Sequence, residues 1–224
     1  MARAAHLAPP AAIVFDWDNT LVDGWAAITA GLNEALAAFG MAPWSEQDTR
    51  ERARRSIRES FPDLFGAEWR RAAAIFQAAY QAQHLSVLRR MKGADGLLAA
   101  CARYPCAVVS NKDGAMVRRE SQALGWDGYF HAIVGAGDAV ADKPDRAPFE
   151  LALRPLGLRP GPCIWYVGDT GLDMQAARGC GCVGVLLGNA EHDGGVAALV
   201  AGNAPPHAHF VDADALAAYV QLLA

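Results

Sequence analysis

Long apolar runs are missing from this chain. Stretches such as Ala12–Phe15 and Cys182–Leu187 fall far short of the roughly 20 residues that a membrane-spanning helix needs. No membrane association is therefore expected. A basic excess is missing too. The formal net charge is -4, which offers no broad attraction to nucleic acid or anionic lipid, although a local positive pocket stays compatible with it. The residues before Ala12 carry one arginine and several alanines but not the apolar segment of a secretory signal, so a cytoplasmic location is expected. Cysteine is sparse: Cys101, Cys106, Cys163, Cys180 and Cys182 are odd in number, and no pair has zinc-site spacing flanked by further ligands. They read as small buried apolar side chains in a reducing compartment rather than as a disulfide framework or metal site.

What is there is a chain of 224 residues, long enough for one sizeable core plus a small accessory domain. Short apolar runs recur at Ala11–Phe15, Cys106–Val109, Ala132–Val134, Ile164–Val167 and Val183–Leu187, with Phe210 and Val211 as a short last one. Each reads as a buried strand. Helical periodicity separates most of them, over Asp113–Leu124, Ala147–Leu156 and Asp212–Leu223. This alternation predicts an α/β fold: a Rossmann-like, mainly parallel sheet of about five or six strands with helices on both faces.

One region breaks the alternation. Between residues 22 and 92 no strand is legible. Ile28, Leu32, Leu36 and Phe39 mark one helical face, and Trp69, Ala73, Phe76, Tyr80 and Val87 mark another. The charged stretch Glu46–Ser60 reads as helical, and Phe61-Pro62 to Gly66 as a break. The expected organisation is a core of residues 1–21 and 93–224 interrupted by a helical domain, 22–92. His207 and His209 read as surface-loop residues before the last strand.

Four polar clusters stand at or just after the ends of proposed strands: Asp16-Trp17-Asp18-Asn19-Thr20, Ser110-Asn111, Lys143-Pro144, and Gly168-Asp169-Thr170-Gly171-Leu172-Asp173. Ligands of open parallel sheets bind at that edge. Two carboxylates two residues apart after a buried strand are costly unless a cation or hydrogen bonds compensate them. Taken singly, each cluster has a structural reading as a turn or a helix cap; it is the four together, in order, that indicate chemistry. Lys112 reads as solvated. Trp17 either lines a pocket or packs in the core.

In order and context, these clusters resemble the haloacid dehalogenase-like hydrolase superfamily over nearly the whole chain. The helical insertion after the first cluster is similar to that of its phosphoglycolate phosphatase-like branch, where it forms a cap. The resemblance implies a magnesium-dependent phosphatase acting on a small phosphorylated metabolite through an aspartyl-phosphate intermediate. Asp16 would be the nucleophile. Asp18 would protonate the leaving oxygen, then activate water, and its backbone carbonyl would bind the metal. Magnesium would be held by Asp16, Asp18 and Asp169, with Asp173 either a ligand or an orienter of ligands. Ser110 and Asn111 would donate hydrogen bonds to phosphate, Thr20 would fix the first loop, and Lys143 would place a positive charge against phosphate and Asp16.

The acid at Asp18 separates phosphate chemistry from dehalogenation, since a departing halide needs no proton. A phosphonate hydrolase of the superfamily would need a cap lysine for a Schiff base, and residues 22–91 contain none. A phosphomutase of the β-phosphoglucomutase type and a non-catalytic binding protein remain the alternatives. In the insertion, Arg58 is the first choice for a substrate contact, from a segment whose arginines otherwise read as a solvated face. A monomer and a homodimer are both compatible with the sequence.

Overall fold

A computed structural model describes residues 7–52 and 57–223. The chain divides into two compact units, Met1–Val22 with Arg90–Ala224, and Asp23–Arg89. Its strands are β1 (Ala12–Phe15), β2 (Val22–Asp23), β3 (Arg89–Arg90), β4 (Cys106–Asp113), β5 (Phe130–Ala136), β6 (Ile164–Gly168), β7 (Val183–Leu187) and β8 (Ala208–Phe210). Strands β2 and β3, two residues each, pair with one another where the chain passes between the units. Among the described residues, no helix is long and apolar enough to cross a membrane.

The larger unit is built on a six-stranded sheet in the order β5-β4-β1-β6-β7-β8, with every pair parallel. Counted in chain order, these six strands run 3-2-1-4-5-6, the doubly wound arrangement. Strands β1 and β6 are buried along their whole length. They read as unbroken apolar runs because helices cover both faces of a parallel sheet.

Alternate residues point to opposite faces. Ala12, Val14, Ile164 and Tyr166 pack with Phe149, Ala152 and Leu153 of helix Ala147–Leu153 and with Ala176, Ala177 and Cys180 of helix Gly171–Cys180. Phe149 meets Tyr166 edge to face, with ring centroids 4.8 Å apart. On the other face, Trp165 contacts Tyr219 of helix Ala213–Leu222, which also meets Phe210. The five cysteines are free thiols, all buried except Cys163. Burial pushes the thiols of Cys106 and Cys180 up to about 12, which keeps them unreactive.

The smaller unit is helical, with helices Trp25–Ala38, Glu46–Arg52, Ile57–Phe65 and Trp69–Gln83. Two expectations need correction here. The break expected over Phe61-Pro62 to Gly66 falls only at its far end: Pro62 lies inside helix Ile57–Phe65, and the chain breaks at Gly66, whose φ is 57. Aromatic packing outweighs the local cost of Pro62, for Phe61 stands against Phe76 and Phe65 against Phe39, at 5.7 and 5.2 Å between centroids. The helical face read through Val87 ends earlier, because the helix stops at Gln83; its buried residues are Ala72, Phe76 and Tyr80.

His207 is an exposed residue of the loop before β8, as expected, whereas His209 lies within β8, and both are held by hydrogen bonds. The His207 Nδ1 accepts from the Gly184 N–H at 3.0 Å, and His209, within β8, bonds the Gly188 carbonyl at 2.8 Å.

Candidate active site

In a doubly wound sheet a crevice opens where the strand order reverses, here between β1 and β6. Asp16 directly follows β1 and Asp169 directly follows β6. The Asp16 N–H donates to the Val167 carbonyl at 2.8 Å, which keeps the two strand ends in register. After Asp16 the chain turns sharply. Asn19 adopts φ 60, a left-handed conformation that asparagine tolerates better than most residues. The Leu21 and Val22 amides both return to the Trp17 carbonyl. Thr20 is buried, and its Oγ1 donates to Asp169 Oδ1 at 3.2 Å, so the first loop steadies the third acid.

Lys143 is the hub. Its side chain is only 4% exposed, and its Nζ donates to Asp16 Oδ1 at 2.6 Å, Asp173 Oδ1 at 2.8 Å and the Tyr166 hydroxyl at 2.8 Å. These three partners use all three ammonium protons. Burial works to neutralise Lys143, but Asp16 and Asp173 outweigh it and hold the amine above its ordinary range, charged. Asn111 holds the lysine's backbone: its amide accepts from the Lys143 N–H at 2.9 Å and donates to the Lys143 carbonyl at 3.0 Å.

Asp173 is 1% exposed and belongs to the N-terminus of helix Gly171–Cys180. Thr170 and Asp173 form a reciprocal capping box. Asp173 Oδ2 accepts from the Thr170 N–H at 3.0 Å and hydroxyl at 2.6 Å, while Oδ1 faces Lys143 and Tyr166. Burial would raise this carboxyl, yet Lys143 and Thr170 outweigh it and hold Asp173 below the usual range. Gly168 makes room for it: a Cβ there would stand 2.5 Å from the Asp173 Cβ.

Asp16, Asp169 and Asp173 each offer a carboxylate oxygen within 4.8 Å of the others. Burial pushes Asp16 up to about 7, with Lys143 opposing and Asp173 adding to the rise. Burial, Asp173 and Asp16 together push Asp169 well above the usual carboxylate range. Three acids around one ammonium leave excess negative charge among hard oxygen donors, the set that a small divalent cation fits.

Asp18 stands apart from that trio. Its side chain is 29% exposed, and its Oδ1 accepts from Lys112 Nζ at 3.0 Å. Burial raises its carboxyl, with Lys112 working against that and Glu120 adding to it. The solvated reading of Lys112 is thus overturned: its side chain is 6% exposed and also pairs with Glu120 at 2.7 Å. Trp17 packs in the core. It is fully buried against Trp126 and Phe130, and its Nε1 donates to Glu120 at 2.7 Å. Ser110 is buried within β4, its Oγ accepting from the Lys112 N–H at 3.2 Å. Arg58 lies in helix Ile57–Phe65, but its side chain falls outside the described residues.

Three participants escaped the sequence reading. Tyr166 was hidden in an apolar strand, although a tyrosine in a doubly covered strand needs a polar partner. Lys112 and Glu120 are far apart from Asp18 in sequence. Glu120 does share the buried helical face of Met116, Val117 and Ser121, which was a legible sign of a buried acid.

This sheet order defines a doubly wound fold with an acidic cluster and a buried lysine gathered where the strand order reverses. The haloacid dehalogenase-like hydrolase family model matches residues 13–186, and the chain belongs to that family. A phosphoglycolate phosphatase of Xylella fastidiosa is 34% identical over 179 residues, covering 77% of each chain. A phosphoglycolate phosphatase of Pectobacterium atrosepticum is 30% identical over 196 residues, covering 82% of this chain and 83% of its own. Among solved structures, a haloacid dehalogenase-like hydrolase of Streptococcus pneumoniae superposes with a TM-score of 0.79 at 23% identity, over 94% of this chain and 98% of that one; at that identity it shows the fold. The chain sits in the phosphatase branch of the family and is an enzyme of that type.

Proposed function

We propose that this enzyme hydrolyses a small anionic phosphate monoester, 2-phosphoglycolate or a close relative, with magnesium and through a phosphoryl group carried on Asp16. The observation that carries the reading is the buried Lys143 ammonium 2.6 Å from Asp16 and 2.8 Å from Asp173, with Asp169 completing the acidic cluster. The names of the relatives support the substrate class.

Asp16 and Asp169 would hold the metal with the Asp18 backbone carbonyl. Asp173 would orient them, since its oxygens already face Lys143, Tyr166 and Thr170. When bound, magnesium supplies charge neutralisation between the phosphate oxygens and the attacking carboxylate. Lys143 adds its positive charge beside Asp16. The Ser110 hydroxyl, whose oxygen accepts from Lys112 N–H, would donate its proton to phosphate. Asn111 acts through Lys143.

In the first step an Asp16 oxygen bonds to phosphorus while the phosphorus–oxygen bond to the alcohol breaks, and Asp18 gives its proton to the departing oxygen. In the second, water bonds to phosphorus and passes a proton to the Asp18 carboxylate. The bond to Asp16 breaks, phosphate leaves, and both acids return to their starting states. The helical unit, residues 23–89, is the proposed cap, with Arg58 its expected contact with substrate.

The test is phosphate release from a panel of small esters, including 2-phosphoglycolate and sugar phosphates, with magnesium and with a chelator. Magnesium-dependent release with one favoured ester is the expected result. Well-folded protein that releases phosphate from none of them would overturn the reading.

A further inference from the structure

A second ionic system runs beside the first. Its members are Asp18, Lys112, Glu120 and Trp17, and all of them lie in the larger unit. Lys112 Nζ reaches Asp18 at 3.0 Å and both Glu120 oxygens, at 2.7 and 2.8 Å. Glu120 is 1% exposed and also accepts from the Trp17 indole at 2.7 Å. A buried lysine–glutamate pair is expensive to assemble, and apolar side chains of similar size would often serve stability as well. Its presence next to the proposed acid/base asks for a reason beyond packing.

The placement supplies one. Asn111 and Lys112 are consecutive at the end of β4. The first holds Lys143 through the backbone, and Lys143 holds Asp16. The second holds Asp18 directly. One strand end thus fixes the partner of each working carboxylate. The Trp17 bond to Glu120 ties that anchor back to the residue between Asp16 and Asp18, so loop and anchor are set as one piece.

We propose that Lys112, seated by Glu120 and Trp17, is a positioning residue that holds the Asp18 carboxyl in the orientation from which it serves the leaving oxygen. This rests on the phosphatase reading above. Proton transfer to a leaving group depends steeply on geometry, and a displacement of about 1 Å costs on the order of 10²-fold. The demand for it depends on the leaving group: an alkoxide needs the proton, a nitrophenolate hardly does.

The experiment compares kcat/KM for an alkyl phosphate and for p-nitrophenyl phosphate in the parent, in Lys112→Met and in Lys112→Met/Glu120→Met, all with magnesium. The double variant removes the charged pair together, so that no unpaired Glu120 unfolds the protein. The alkyl ester is expected to lose about 10²-fold in kcat/KM, and p-nitrophenyl phosphate less than about fivefold, because kcat/KM stops at alcohol release and leaves out the hydrolysis of phosphoryl-Asp16 that both esters share. Lys112→Arg, which keeps a cation facing Asp18, should restore much of the alkyl rate. Trp17→Phe, which frees Glu120 from the indole, should show the same selectivity at smaller size. Equal losses for both esters, or parent-like alkyl turnover in folded double variant, would overturn the role of Lys112 while leaving the phosphatase reading intact. A parent inactive on every ester would overturn the phosphatase reading, and the inference with it.

Discussion

Asn111 grips Lys143 by its backbone, accepting from its N–H at 2.9 Å and donating to its carbonyl at 3.0 Å. The two residues come from different segments, the end of β4 and the loop before helix Ala147–Leu153, and the paired bonds fix where the lysine enters the site. Asn111→Ala removes both. The expected outcome is a 10- to 100-fold loss in kcat, roughly what a displaced positioning group costs, with little change in far-ultraviolet circular dichroism. Steady-state kinetics on the preferred ester measure it. Unchanged kcat would show that the Lys143 loop holds its place without Asn111.

Asp16→Asn keeps the shape of the proposed nucleophile and removes its negative charge. Turnover is expected to vanish. In the parent, quenching with acid during turnover of a labelled ester should trap phosphoryl label on the protein, and the variant should trap none. Label trapped equally in both would place the covalent step elsewhere.

Gly168→Ala would set a methyl group about where Asp173 now stands, 2.5 Å from its Cβ. Overpacking of this kind costs about 1–3 kcal/mol, and here the yielding group is the partner of Lys143. Both the urea midpoint and kcat should fall. A variant with parental stability and parental kcat would contradict the close approach.

Arg118 and Asp138 form a two-pronged pair, at 2.6 and 3.1 Å, and Asp138 also accepts from the Gly135 N–H. Arg118 hydrogen bonding holds the Asp138 carboxyl below its ordinary range. A depressed folded-state pKa contributes stability that is present above the unfolded value, near 4, and is lost as pH falls through the folded value. The pair is largely solvent-exposed, so Asp138→Asn should cost no more than about 1 kcal/mol at pH 7. The gap to the parent should close between about pH 5 and pH 2. Urea unfolding at several pH values tests this, and a gap that stays constant into acid would assign the loss to something other than the charge.

The two-residue β2 and β3 carry no such signal and were missed, but the strands of the main sheet were legible because most of them are buried and therefore read as apolar runs. Their edges were less so: β5 extends from Phe130 to Ala136, beyond the three apolar residues that announced it, since its partner β4 supplies hydrogen bonds regardless of side chain. Asp16, Lys143, Asp169 and Asp173 stood out as costly charges at strand ends. Lys112 did not, because a lysine after a turn-forming Ser-Asn looks like any solvated one until a buried Glu120 faces it.

By itself, then, the sequence determined the alternation of buried strands and helices, the helical insertion and the acids at strand ends, because each of these follows from local periodicity or from the cost of an uncompensated charge. Only the tertiary structure decided which charges meet. Lys143 lies 127 residues from Asp16 and Lys112 lies 94 from Asp18, and no local pattern encodes such pairings. They arise when parallel strands align their ends at the point where the sheet order reverses, bringing loops from distant parts of the chain into one small volume.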